Sequence, residues 1–421
     1  MSPTRITKVV ITPVAFADPP LLNAVGVHEP FALRSIIEME TSDGVTGLGE
    51  SYGDASHLER LHRVAQALIG VDVFATSRML EVTADTLGGA VGADRHGLTG
   101  QISASGTALR TFAAFEVAAL DVQGKLLGRP VSDLLGGAVR ELVPFSAYLF
   151  YKWASHPGDA ADRFGEVLDA AAIVAQARWM LKDYGFGAIK LKGGVVSPEL
   201  EIEAVFALRD AFPEVPLRLD PNTAWSVATS IDVARQLEGV LEYLEDPTPG
   251  LAGMAEVARE TPTPLATNMC VVGFEDIPPA LALGSVRVIL SDHHYWGGLR
   301  KVSGLAEICD TFDLGLSMHS NSHLGISLAA MTHLAAAVPN LTYALDTHWP
   351  WKDDDVIEGG VLTFRDGALR VPTSPGLGVE LDRDALARLH ERYLTCGISD
   401  RSDTRYMQSI DPTYDGTLPR W

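Results

Sequence analysis

Between residues 187 and 247 three short runs read GAIKLKG (187–193), PLRLDPN (216–222) and LEYLEDP (241–247). Each is rich in apolar residues, ends on ionisable ones, and is separated from the next by a stretch with helical spacing. The pattern continues outward. PLATN (264–268), VRVILSD (286–292), LGLSMHS (314–320) and LTYALDTHW (341–349) follow, and PFSAYLF (144–150) precedes. Eight β-rich runs alternating with helical ones predict a closed parallel barrel rather than an open sheet. Ser197 before Pro198 and an acidic first turn marks one helix start, and Gly239 is expected to end a helix that begins near Ser230.

Upstream the order of elements changes. Ile6, Val9, Val10, Ile11 and Val14 form one β-rich run, Phe31 to Met39 another, and the turn at Ser42–Gly44 suggests a meander. Residues 55–135 read as helical. Phe112, Phe115, Val117, Ala118, Leu120 and Val122 crowd one broad face there, and Gly128 with Pro130 stops the helix. Strands followed by helices predict an α+β domain of roughly 135 residues.

Charge and cysteine usage narrow the functional class. In the 421-residue chain, 33 basic against 54 acidic residues leave a formal charge of −21. That argues against nucleic acid and against an anionic membrane surface as partners. The opening MSPTRITKVVITPVAFADPP lacks the apolar core and cleavage site of a signal peptide, and no window reaches ~18 uninterrupted apolar residues. Cys270, Cys309 and Cys396 are far apart and form no CxxC, so a reduced, cytoplasmic setting is expected. GLGE and GGLRK are too short to be phosphate-binding loops.

In a parallel barrel the C-terminal ends of the strands share one mouth, and chemistry collects there. Here those ends carry Lys190, Lys192, Asp220, Asn222, Glu245, Asn268, Asp292, His319 and His348. Asp220, Glu245 and Asn268 are spaced by 25 and 23 residues, one strand–helix unit each. Three successive strands would aim three oxygen donors at one point, a hard set that suits Mg²⁺. Taken singly, the two acids suit equally well as loop caps before Pro221 and Asp246–Pro247.

Lys190 and Lys192 share one face of their strand, inward in a barrel, where two ammonium groups need carboxylates or a bound anion. Mutual repulsion and a nearby cation are expected to lower a lysine's pKa and make an amine base available. A lysine-decorated edge strand is the bland alternative. Asp292 and His319, on adjacent strands, predict a carboxylate that orients an imidazole. His293, His294 and His323 read as wall or surface residues. A lysine on one side, a histidine on the other and a metal between them can remove a proton α to a carboxylate from either face, with the enediolate stabilised by the metal.

Together, KLKGG, LRLDPN, YLEDP, PLATNM, SDHHYWGG, HSNSH, DTHW and PGLGVELD resemble the enolase superfamily, and within it the glucarate dehydratase group (mandelate racemase/muconate lactonizing enzyme-like), over about residues 5–410. The resemblance implies an α/β fold, a modified (β/α)7β TIM-type barrel with an N-terminal α+β capping domain. The cap would take residues 1–135, the barrel 136–375, and a C-terminal segment, 376–421, would return to the cap. It further implies that Asp220, Glu245 and Asn268 bind Mg²⁺, that Lys192 is the base on one face, and that Lys190 contacts the substrate carboxylate. His319, supported by Asp292, would be the base on the other face and the acid for departing hydroxide. Asn222 and Asn321 would stand near the reaction centre. Asn23, His28, Thr107, Tyr148, Phe150, Ser320, His348 and Arg401 would contact a small dicarboxylate sugar acid. Residues 76–106 depart from the family pattern.

The implied reaction is dehydration of D-glucarate to 5-dehydro-4-deoxy-D-glucarate. The same groups could serve as a dehydratase or epimerase of idarate, galactarate or talarate, and a non-catalytic diacid-binding relative is the remaining alternative. At a charge of −21, capture of a dianion is expected to depend on Mg²⁺, the two lysines, His28 and Arg401 acting locally. By analogy with the superfamily, a homo-oligomer is implied.

Overall fold

A computed structural model describes residues 3–92 and 103–421. Near the N-terminus, β1 (Ile6–Ala17), β2 (Phe31–Thr41) and β3 (Thr46–Tyr52) pair antiparallel in that order. β2 is buried on both faces, and its alternation divides two cores. Ile37 and Met39 pack with Leu61, Val64, Phe112 and Phe115 of the helical layer, whereas Ala32 and Ile36 join the core shared with the barrel. β3 lies hard against the helix Ala104–Leu127. A Cβ at Gly47 or Gly49 would fall 2.1 or 2.2 Å from the carbonyl oxygens of Ala118 and Ala114, so only glycine permits this approach.

The second layer is a curled sheet of seven parallel strands. In sheet order they are β4 (Ala147–Phe150), β5 (Ile189–Lys192), β6 (Leu217–Asp220), β7 (Tyr243–Glu245), β8 (Leu265–Thr267), β9 (Val288–Ser291) and β10 (Gly315–Met318). Seven of the eight expected runs are therefore strands. The eighth, 341–349, is not. It serves both sheet edges in turn and keeps neither partner long enough for a ladder. Thr342 and Asp346 donate to Leu316 and Met318 carbonyls beside β10, both at 3.0 Å, while Leu345 donates to Pro144 and accepts from Ser146 beside β4.

Helix starts follow local chemistry. Pro198–Ala211 begins where Ser197-Pro198 predicts. The helix expected from Ser230 to Gly239 instead spans Val227–Gln236, because the Ser226 hydroxyl caps it by accepting from Thr229 N at 3.2 Å. The C-terminal part runs back over the cap. In the helix Arg383–Thr395, His390 Nδ1 lies 2.7 Å from the Pro13 carbonyl. Further on, Arg401 N donates to Asp54 at 2.9 Å. Among the described residues no helix is long and apolar enough to cross a membrane.

Candidate active site

One cavity of about 90 Å³ lies at the C-terminal ends of the barrel strands, beneath the cap. Lys192, Asn222, Asn268 and His319 line its barrel side. Asn23, His28 and Arg401 line its cap side, and Tyr148, Phe150 and His348 form an aromatic wall with ring centroids 4.5–5.4 Å apart. Lys192 and His319 come from nearly opposite ends of the seven-strand order and meet in this one space.

Beneath the floor, charge is concentrated. Lys192 Nζ sits 2.7 Å from Asp220 Oδ2 and 2.6 Å from Asn222 Oδ1. Asn222 and Thr223 both hold left-handed backbone angles, φ +53° and +62°, uncommon for a non-glycine and strained for a β-branched residue. Thr223 N is tied to the Asp246 carbonyl at 2.7 Å, which helps hold that turn and aims the Asn222 amide at the lysine. Fully buried Lys190 lies 2.7 Å from Asp346 Oδ2, 2.6 Å from Glu245 Oε2 and 3.5 Å from Asp220 Oδ2. Burial alone would lower its pKa, but Asp346 and Glu245 lift it well above the ordinary lysine value. The expectation of a lowered lysine pKa therefore fails at Lys190, which is a fixed cation below the cavity.

Asp220 and Glu245 are buried around Lys190, and Asn268 follows β8. Its loop is pinned by Asp246, whose carboxylate accepts from Thr267 Oγ1 at 2.6 Å and Asn268 N at 2.8 Å. Burial pushes the Asp246 carboxyl up to about 7. Glu245 is raised well above the carboxylate range by burial and by Asp220. Among the described residues its Oε1 is buried with no hydrogen-bond partner. An orphaned buried carboxylate oxygen, a second carboxylate and an amide oxygen form an all-oxygen set that fits Mg²⁺.

On the other side, His319 Nδ1 is 3.4 Å from Asp292 Oδ2. Burial would raise the Asp292 carboxyl, yet His294 and His319 hold it well below the usual range. His294, nearer to Asp292 at 2.7 Å, is buried, as are His293 and His323, so none of these three is a surface residue. The Asn321 amide donates to the hydroxyls of Tyr52 (2.9 Å) and Tyr295 (2.8 Å). Ser320 Oγ lies 3.3 Å from His348 Nδ1. Burial and the neighbouring His28 keep His348 well below the ordinary histidine pKa.

At the cap end the expected contacts gather around two aspartates that sequence reasoning missed. Asp18 Oδ2 takes Arg401 Nη1 (2.8 Å), His28 Nδ1 (3.1 Å) and Ser322 Oγ (3.2 Å). Asp403 takes Arg401 Nε (3.0 Å) and the Asn23 amide (2.8 Å). Burial would raise Asp18, but His28 and Arg401 hold it well below the carboxylate range. Thr107 is not among the lining residues. Its hydroxyl accepts from Gly92 N and donates to the Ser103 carbonyl, both at 2.9 Å, at the start of the helix Ala104–Leu127. Part of the divergent stretch 76–106, residues 93–102, lies outside the described residues.

The chain is similar to known proteins over its whole length. The chain is 53% identical to a probable glucarate dehydratase of Streptomyces coelicolor, over 99% of each chain. It is 64% identical, with a TM-score of 0.96, to an enolase of Mycobacterium smegmatis complexed with tartrate, covering 100% of this chain and 99% of that one. An enolase of Pseudomonas fluorescens with bound magnesium, potassium and tartrate is 52% identical, with a TM-score of 0.96 over 100% of both chains. Residues 6–136 match the mandelate racemase/muconate lactonizing enzyme N-terminal domain. Residues 172–385 match the enolase C-terminal domain-like family, and the chain therefore belongs to the enolase superfamily.

Proposed function

We propose that this chain is an acid-sugar dehydratase, a hydro-lyase that converts D-glucarate to 5-dehydro-4-deoxy-D-glucarate. The observation that carries this reading is the meeting of Lys192 and His319 in one cavity, the histidine backed by Asp292 and the lysine by Asp220 and Asn222. Similarity to a probable glucarate dehydratase supports the reaction class. Tartrate in two similar structures, a small dihydroxy diacid, supports the substrate class.

Asp220, Glu245 and Asn268 would hold the Mg²⁺ ion. When bound, it supplies positive charge beside the carboxylate whose α-proton is lost. Lys190, kept protonated by its three carboxylates, adds fixed positive charge beneath the same spot. Lys192 or His319 takes the α-proton, according to the face on which it stands. The α C–H electron pair becomes the carbon–carbon double bond as the β C–O bond breaks, and protonated His319 gives its proton to the departing hydroxide, so that water leaves. The resulting enol tautomerises to the keto acid. Asp292 holds the imidazole for both roles.

Dehydration or epimerisation of idarate, galactarate or talarate would use the same groups. The distal pairs Arg401–Asp18 and Arg401–Asp403 bear on that choice, since they decide which distal hydroxyl and carboxylate positions can be met. The test is a panel of aldarates with semicarbazide detection of keto acid, run with Mg²⁺ and after chelation. D-glucarate should give product, chelation should abolish it, and Mg²⁺ or Mn²⁺ should restore it. No turnover of any aldarate, neither keto acid nor an epimer by ¹H NMR, with tight diacid binding retained, would instead favour a non-catalytic relative; full turnover after exhaustive chelation would remove the metal from the reaction.

A further inference from the structure

Asp292 faces two histidines, and the proposed chemistry uses only one. His294 Nδ1 lies 2.7 Å from Asp292 Oδ1, which also accepts from the His294 backbone N–H at 2.9 Å. The remaining oxygen, Oδ2, is the one that faces His319. On the other edge of the His294 ring, Nε2 is 2.8 Å from Arg34 Nη2 and 2.9 Å from Ser327 Oγ. A guanidinium has donors and no acceptor. Burial would lower the Arg34 pKa, but Glu50, 2.8 Å from its Nε, raises it, so the guanidinium stays charged. Nε2 of His294 must therefore accept, and the ring proton sits on Nδ1, aimed at Asp292.

We propose that His294 is a positioning residue: held as the Nδ1–H tautomer by Arg34 of the cap, it clamps one oxygen of Asp292 so that the other is presented to His319. The inference rests on the reading of His319 as the acid–base group. A carboxylate with two rotatable bonds and several donors around it has more than one orientation, and the two donors of His294 on a single oxygen select one. His294 itself does not line the cavity and is no substitute acid or base.

The lock crosses the cap–barrel seam. Arg34 lies in β2 and Glu50 in β3, and Glu50 accepts from Leu324 N and Ser327 N of the barrel, both at 2.9 Å. A metal ion is the competing occupant, since ligand atoms of Asp292, His293 and His294 lie within 4.8 Å of one another. Both His294 nitrogens and Asp292 Oδ1 are already engaged, and the Arg34 charge at 2.8 Å repels a cation.

The test compares His294→Leu, His294→Asn and His294→Gln, each as the Mg²⁺-loaded full chain. An asparagine amide can donate from near the position of Nδ1. A glutamine amide can accept toward Arg34 but leaves Asp292 Oδ1 with the backbone N–H as its one donor from this residue. His294→Leu should lower kcat on D-glucarate ~10–100-fold with KM within about 3-fold, a loss typical of removing a residue that orients a ligand or base. His294→Asn should recover most of this and His294→Gln little. In ¹⁵N-histidine NMR of the parent protein, the ring signal that all three variants lack, and that is thereby assigned to His294, should show a protonated Nδ1 and a bare Nε2. An unchanged kcat in His294→Leu, a His294→Gln as active as His294→Asn, or an Nε2–H or doubly protonated His294 ring in the parent would each overturn the proposal. Should the leucine variant fail to fold, the Asn–Gln order and the parent's tautomer still decide. A parent inactive on every aldarate would fail the functional reading instead, leaving the tautomer measurement to judge the lock.

Discussion

At the barrel end of the cavity Lys190 and Lys192 stand among Asp220, Glu245 and Asp346, with Asp246 behind them; at the cap end Arg401 and His28 stand between Asp18 and Asp403. Among the described residues, the barrel end holds more carboxylates than ammonium groups and leaves Glu245 Oε1 without a hydrogen-bond partner. At the cap end the Arg401 guanidinium is already spent on two aspartates, and His28 Nδ1 lies 3.1 Å from one of them. The orphaned Glu245 oxygen beside a second carboxylate makes the barrel end the proposed place for a divalent cation. On the proposed function, charge would select the end of the substrate that reacts, whereas the distal end would be read by competition for donors that Asp18 and Asp403 already hold.

The largest effects are expected at the barrel end. Lys192→Ala and His319→Ala should each lower turnover by ~10²–10⁴-fold or more, the range for losing a general acid or base, with circular dichroism unchanged. Near-normal rates in both would remove the two-faced arrangement. A smaller effect, of a different kind, is expected at the cap end. Arg401→Ala should raise KM by about 10–100-fold, as loss of a charged hydrogen bond does, with a modest change in kcat. A kcat loss at unchanged KM would mean that the distal end takes part in the chemical step.

The smallest effect on rate, but a clear one on stability, is expected at the seam. Burial would raise the Glu50 carboxyl, but Arg34 and His323 bring it down to about 2. A carboxyl lowered on folding stabilises the fold above its unfolded pKa, near 4.5, and loses that contribution as pH falls through about 2. Glu50→Gln should therefore cost about 3 kcal/mol at neutral pH, with the gap to the parent closing between those two values in denaturant titrations. A gap independent of pH would show that packing, not charge, sets the seam.

The barrel half was readable because its residues sit at the same place in a repeating unit. Lys192, Asp220, Glu245, Asn268, Asp292 and His319 each end or follow a strand, so period and spacing place them at one mouth before any contact is known. Asp346 escaped notice because run 341–349 was expected to be a strand ending at His348, and it instead bridges two edges with Asp346 turned to Lys190. Asp18 and Asp403 meet at Arg401 across more than 380 residues of sequence, and no local period reports such a meeting. Arg34, Tyr52 and His294 were unreadable for the same reason. They do their work across the boundary between cap and barrel, and β2, FALRSIIEMET, shows no clean polar–apolar alternation because its two faces serve two cores. The sign of the Lys190 shift was not readable because it depends on how many carboxylates surround the ammonium, a number that only the folded chain displays.

The Arg34–Glu50 pair has a practical bearing on protein engineering. A chimera that grafts another cap onto this barrel to change which sugar acid is accepted must also import an arginine and a glutamate at those two depths, whatever loops it brings. Without them the donor cap would select its substrate and at the same time unmoor the imidazole that acts on it.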